Sequence, residues 1–194
     1  MNSDDPIARF LEWLEHAKQC VAIPEPTAMT LATVDGEGNP SARVGLLKEA
    51  GARGFVFYTN LESAKARDIQ DSPKVALNFY WMPLNRQVRV QGIADPVSDT
   101  EADVYFASRA RESQIGAWAS AQSRPLASRE KMMERVEEYT RRFAGQPVPR
   151  PPFWSGWRVV PRRIEFWQQG DHRLHDRDLY TRQPDGWNVQ KLYP

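Results

Sequence analysis

Sulfur and imidazole are scarce in this chain: one cysteine, Cys20, and three histidines stand among 194 residues. A lone cysteine excludes an internal disulfide and fits a reducing compartment. No Cys/His spacing of the metal-ligand kind is present either, so no metal is expected. Long apolar runs are missing. None reaches the roughly 20 residues that cross a bilayer, and the opening MNSDDPIARF is acidic, with no apolar stretch of the signal-peptide type. An excess of one charge is also lacking. Lys and Arg number 26 against 25 Asp and Glu, a net +1 that argues against a general nucleic-acid or membrane-surface binder. Walker loop, GxGxxG and Ser–His–Asp order are all absent. The expectation is a soluble cytoplasmic protein whose anion sites come from local placement of Arg and Lys.

What is present reads as a single α+β domain over 1–194, with 1–26 as a first helix and lead-in and 144–153 as a Pro-rich connector. Ile7, Phe10, Leu11, Leu14 and Ala17 recur at helical spacing over 6–20, with Asp4 and Asp5 near the start. Strand patterns follow at Ala28–Val34, Ser41–Lys48 and 55–59, separated by Gly-containing turns. Asn60 is placed to cap a short helix to about Ile69, and Lys74–Trp81 and Arg86–Ala94 form another strand pair. Ser98 and Glu101 make a capping-box pattern for a helix to about Ser108. Further helix is expected at Ser113–Ser120 and at Ser128–Phe143, where Met132, Val136, Tyr139 and Phe143 form a stripe. Strands return at 157–167, 173–182 and 187–192. Antiparallel strands with helices inserted mainly in the middle predict a closed or partly closed barrel.

Cations are then placed in ways a barrel does not require. If 173–177 is extended, Arg173, His175 and Arg177 share one face, an arrangement that repels itself unless an anionic or electron-rich ligand sits opposite. Phe166 and Trp167 just before make a plain solvated edge the weaker reading. Arg43 and Lys48 bracket an apolar strand and, five residues apart, project to opposite faces, serving two anions or merely solubility. Tyr58, Thr59, Asn60, Ser63 and Lys65 bring hydroxyls, helix amides and an ammonium together, a set suited to phosphate. Gln87 lies on an alternating strand and either reads a ring edge or faces solvent. On a continuous helix Tyr105, Arg109 and Ser113 form one polar stripe for a second phosphate, or a solvated face, with Gln122 and Ser123 just beyond. Cys20, His16 and His172 have only ordinary structural readings.

These segments together resemble the pyridoxine/pyridoxamine 5′-phosphate oxidase family. The resemblance runs from about Thr27 to Pro194, carried by RVGLLK at 43–48, FVFYTNLESAK at 55–65, RQVRVQG at 86–92, YFASRARESQIGAWASAQS at 105–123, and by FWSGWRV and IEFWQQGDHRLHDR near the end. It implies an FMN-binding split β-barrel that forms a homodimer with FMN between subunits. It implies FMN contacts from Arg43, Val44, Gly45, Leu46, Leu47 and Lys48, from Tyr58, Thr59 and Lys65, and from Gln87, Gln122, Ser123, Trp167 and Arg177. Arg43, Lys65 and Ser123 would meet the FMN phosphate. Lys48, Tyr105, Arg109 and Ser113 would hold the substrate phosphate, with Arg173 and His175 over the pyridine ring as the catalytic pair. The implied reaction oxidises pyridoxamine or pyridoxine 5′-phosphate to pyridoxal 5′-phosphate with O2, releasing H2O2. A same-fold oxidase of a phenazine-type substrate and a non-catalytic flavin or pyridoxal-phosphate binder are the alternatives. Three departures from the family pattern are visible. Ala64 stands where many members carry arginine, Gly45 replaces a bulkier residue, and the chain starts shortly before its first helix, without the extension that helps close the site in some members.

Overall fold

Phe10 sits within the main core, between the first helix and the sheet. In the computed structural model, which describes residues 5–194, it is fully buried on helix α1 (Pro6–Gln19). Its ring meets Phe55 and Phe79 edge-on at 4.9 Å each. Burying such a side chain contributes about 1.5–3 kcal/mol. Asp5 caps α1 by accepting the Ile7 N–H at 2.9 Å, with Pro6 in the first turn where its missing donor costs nothing. Asp4 lies outside the described residues.

The architecture is α+β. Strands β1 (Ala28–Val34), β2 (Pro40–Leu46), β3 (Glu49–Gly51), β4 (Gly54–Asn60), β5 (Lys74–Trp81), β6 (Arg86–Pro96), β7 (Trp154–Gln168), β8 (Asp176–Gln183) and β9 (Gly186–Lys191) form one antiparallel sheet. Its order is β2-β1-β5-β6-β7-β4-β3, with β8 also on β7 and β9 on β8. Helices α2 (Ala64–Asp71), α3 (Asp99–Ser108), α4 (Arg111–Ala119) and α5 (Arg129–Arg142) complete the fold among the described residues. The short β3 was not foreseen.

Strand β7 has three neighbours. Residues 154–159 pair with β4, 157–168 with β6 and 163–168 with β8, so the sheet divides along β7. A bulge shifts the β6–β7 register beside Gly92. A Cβ on Gly92 would stand 2.3 Å from the Val160 carbonyl oxygen, so only glycine permits this approach. The main core lies between α1 and the sheet. A second cluster of Phe106, Ile115, Phe143, Val148 and Trp154 joins α3, α4 and α5 to the start of β7.

Several expected boundaries move. Ser63, not Asn60, stands at the N-cap of α2; the Asn60 side-chain oxygen instead accepts the Glu62 N–H at 2.7 Å. The capping box at Ser98 and Glu101 is formed as expected. Ser113–Ser120 becomes a helix starting at Arg111, and the 157–167 strand begins at Trp154.

Candidate active site

The first cationic cluster is built by β2, α2 and the turn after α4. Lys65, in the first turn of α2, donates from Nζ to Thr59 Oγ1 (3.2 Å), Ser63 Oγ (3.1 Å) and Gln122 Oε1 (3.2 Å). All three partners are neutral. Burial, then the Arg43 guanidinium, push the Lys65 ammonium down to about 8, against an upward pull from Asp68. Arg43 donates to Thr33 Oγ1 at 2.7 Å and Ser41 Oγ at 2.6 Å, and lies 3.6 Å from Asp68. Two cations thus share one carboxylate. Ser123 adjoins Gln122 in a left-handed turn conformation (φ 67°) and is exposed.

This arrangement predicts a pH dependence. Without an anion Lys65 loses its proton as pH rises through about 8, whereas a bound phosphate favours the ammonium. Anion binding above pH 8 therefore takes up a proton, and log Kd for a phosphate ligand should climb with a slope approaching about one per pH unit. Titration with a phosphate ligand from pH 7 to 9.5 checks this, and Lys65→Arg should abolish the slope.

A cleft of about 670 Å³ opens beside this cluster. Lys48, Tyr58, Thr59, Tyr105, Arg109 and Ser113 line it, with Gln122 at the Lys65 end. Tyr58, Tyr105 and Trp154 form a near-parallel ring cluster (Tyr58 to Tyr105 4.1 Å, Tyr58 to Trp154 5.4 Å, Tyr105 to Trp154 6.1 Å), and Arg109 sits 4.8 Å over Trp154. Burial raises the Tyr58 phenol above its ordinary range, so it stays protonated at neutral pH. Arg109 Nη1 is buried without a hydrogen-bond partner, and burial lowers the pKa of this guanidinium. A half-buried cation with an orphaned donor is a site short of an anion.

The Tyr105–Arg109–Ser113 stripe is not on one helix. α3 ends at Ser108, Arg109 caps it with extended backbone (ψ 149°), and α4 starts at Arg111. The break turns the two helices around the cleft, and all three side chains still line it. Lys48 lies past the end of β2 rather than on it, held by its N–H to the Val56 carbonyl at 2.8 Å. Leu47 is buried, Val44 and Leu46 are exposed, and Gly45 is partly exposed. α3 is pinned to β7 by Glu101 and buried Arg158 at 2.7 Å.

A third group sits at the far end of β7. Gln87, Trp167 and Arg177 are directly opposite one another on β6, β7 and β8, a cross-strand row on one sheet face. Glu165, 7 % exposed, accepts from Arg177 Nε (2.9 Å) and Arg89 Nη1 (3.2 Å). The expected strand alternation of Arg173, His175 and Arg177 is overturned. A 3-10 turn covers Asp171–Arg173, His172 and Arg173 have φ of 54° and 67°, and β8 starts only at Asp176. The tight return after Gly170 competes with strand geometry and wins. His175 nevertheless comes to lie 4.7 Å from the Trp167 ring.

The structure thus gathers the expected residues into two places. Lys48, Tyr58, Thr59, Tyr105, Arg109, Ser113 and Gln122 meet at the cleft, with Arg43 and Lys65 behind it. Gln87, Trp167, His175 and Arg177 form the other group, and neither they nor Arg173 line the cleft. Along β7, Gly156 opposite Tyr58 and Trp167 are separated by roughly 35 Å of extended chain. Sequence reasoning missed Asp68, Trp154 and Glu165. Asp68 was accessible from its i,i+3 spacing to Lys65, and Glu165 from its two-residue spacing to Trp167.

Residues 15–143 match the family model described as pyridoxamine 5′-phosphate oxidase, and residues 154–194 match that of the pyridoxine 5′-phosphate oxidase C-terminal dimerisation region. The chain belongs to the pyridoxamine 5′-phosphate oxidase family. A relative from Myxococcus xanthus strain DK1622, named pyridoxine/pyridoxamine 5′-phosphate oxidase, is 60% identical over 190 residues, covering 98% of this chain and 92% of the relative. One of the same name from Rubrobacter xylanophilus is 55% identical, covering 98% and 87%. PhzG from Burkholderia lata 383, solved with tetrahydrophenazine-1-carboxylic acid, superposes with a TM-score of 0.93 at 30% identity, covering 100% of this chain and 94% of PhzG. A pyridoxamine 5′-phosphate oxidase-related, FMN binding protein from Nostoc punctiforme shares the fold (TM-score 0.80, 16% identity, both chains fully covered). Within the oxidase family's two matched regions, the cleft falls almost wholly in the first, whereas Trp167, His175 and Arg177 lie in the dimerisation region and their neighbour Gln87 in the first.

Proposed function

We propose that this protein oxidises pyridoxamine 5′-phosphate or pyridoxine 5′-phosphate to pyridoxal 5′-phosphate, using FMN and O2 and releasing H2O2. The carrying observation is the pairing of two separate anion-seeking centres on one cleft: Lys65 with Arg43 at one end, and orphaned Arg109 with Lys48 and Ser113 in its wall. A phosphorylated cofactor beside a phosphorylated substrate satisfies both. Relatives at 55–60% identity carry the corresponding enzyme name.

The donor set fits FMN. Lys65 has only neutral hydrogen-bond partners and a depressed pKa, so a dianion beside it favours its charged form. Arg43, Lys65 and Ser123 hold the FMN phosphate, and Tyr58, Thr59, Gln122 and the backbone of 43–48 line its path. Gln87, Trp167 and Arg177 complete the flavin site from the far end of β7. Bound there, FMN supplies the acceptor for a hydride equivalent from substrate C4′ and the route of two electrons to O2. Lys48, Tyr105, Arg109 and Ser113 grip the substrate phosphate. Arg173 orients the pyridine ring and stabilises charge developing on it, and His175 steers the ring from beside Trp167. The protein thereby contributes orientation and electrostatics.

Because Trp167 and Arg177 do not line the cleft of their own copy, a second copy supplies them and the active form is a homodimer. Sedimentation of the flavin-loaded protein should give a dimer; an active flavin-loaded monomer overturns this arrangement. The deciding experiment for the function identifies the bound flavin and measures peroxide release. Release with either B6 phosphate supports the reading; release only with a phenazine precursor, or none at all, overturns it.

Ala64, the first residue of α2 and next to Lys65, gives a further expected result. Ala64→Arg adds a guanidinium beside the phosphate and should tighten FMN binding by about 1–3 kcal/mol. Fluorescence titration measures it, and an unchanged Kd shows that position 64 does not face the phosphate.

A further inference from the structure

The turn between β7 and β8 is held by contacts that do not serve the sheet. Gln169 N–H reaches the Asn85 carbonyl at 2.9 Å, Leu174 N–H the Asp171 carbonyl at 2.9 Å, and His175 N–H the Arg173 carbonyl at 2.9 Å. His172 and Arg173 both adopt left-handed backbone, which costs a non-glycine residue free energy and marks a turn whose shape is over-determined by its surroundings. Gly170 is where the turn closes. A Cβ there would stand 2.1 Å from the Leu174 carbonyl oxygen, so no other residue fits without moving the loop.

Gly170 does one thing more: its backbone N–H donates to His175 Nδ1 at 3.3 Å. A backbone N–H can only donate, so Nδ1 is the acceptor, and the single proton of a neutral imidazole is on Nε2. Trp167 lies beside the same ring at 4.7 Å. Nε2–H is left on the edge of the ring away from Gly170.

Resting on the function proposed above, we propose that Gly170 is a positioning residue that sets His175 as a hydrogen-bond donor, through Nε2, to an acceptor atom on the rim of the substrate's pyridine ring. In this tautomer Nε2 already carries its proton and Nδ1 is engaged, so neutral His175 is not the base that takes a proton from the substrate. Its role is to fix the ring, with Arg173 two residues before it on the same strained turn.

The tautomer is directly measurable. Long-range proton–nitrogen spectra of the flavin-loaded protein, assigned with His16→Gln and His172→Gln, should show His175 protonated at Nε2 and bare at Nδ1. A proton on Nδ1 overturns the proposal. This readout does not depend on turnover, so it stands apart from a failure of the B6 phosphates to be oxidised, which would count against the proposed function instead. Two replacements then test the donor. The glutamine amide reaches the place of Nε2 and the asparagine amide does not, so His175→Gln should keep activity within about 10-fold while His175→Asn falls about 10-fold further. Equal loss in both overturns the Nε2 assignment. Gly170→Ala should lower kcat about 10-fold or more and erase the tautomer preference while FMN Kd stays unchanged. Retention of full activity and of the Nε2 tautomer in that variant removes Gly170 from its role.

Discussion

Replacing Arg173 with alanine is expected to lower kcat about 100-fold while FMN stays bound, because one aimed electrostatic contact at the reacting ring is worth roughly that much. Among the described residues its guanidinium makes no ion pair; Arg173 is exposed on the left-handed turn (φ 67°), so truncating it removes no structural partner. The turn is closed by the Leu174 N–H to the Asp171 carbonyl and by the Gly170 N–H to His175 Nδ1, which the alanine variant keeps. Stopped-flow flavin reduction at saturating substrate measures the effect. A variant that reduces its flavin at the original rate would take Arg173 out of the chemical step.

Arg109 should behave in the opposite way. Its assigned partner, the substrate phosphate, is bound alike in ground and transition states, so Arg109→Ala should raise KM by about 10- to 100-fold and leave reduction at saturation nearly unchanged. A charge-assisted hydrogen bond of about 1.5–3 kcal/mol sets that scale. The side chain also lies over Trp154 and Phe106, so part of the cost is lost packing. Arg109→Lys, which keeps charge without the planar stack, separates the two. If Arg109→Ala slows reduction at saturating substrate and Arg173→Ala does not, the two roles have been exchanged.

Much of this fold was legible because period-2 and helical patterns survive where burial on one face is strong. Ala28–Val34 and Lys74–Trp81 are strands with the expected ends, and the alternation of buried and less buried residues along both is the physical cause. Ser98 and Glu101 were legible because a capping box is a local hydrogen-bond pattern. The turn at Asp171–Arg173 was not. Its conformation depends on Gly170 packing against Leu174 and on the anchor to Asn85, contacts that no alternation encodes. The helix end near Ser108 was legible from the sequence, but the bend between the two helices that brings Tyr105, Arg109 and Ser113 to the cleft is not encoded in their helical spacing. The residues that the family resemblance implies fall in two places, and that division is a property of β7 and its three neighbours.

That strand has a consequence for how the chain is made. β4 and β6 emerge during synthesis long before β7, and each waits with an unpaired edge for the same late segment. Contacts between residues 54–60 and 154–159 are distant in sequence, so closing them is slow compared with forming α1 or α3. The nascent chain is most prone to edge-to-edge aggregation in that interval. A chain released before residue 154 would carry Lys65, Arg43 and Arg109 yet lack the strand that joins β4 to β6, so the sheet is completed only in the final fifth of synthesis.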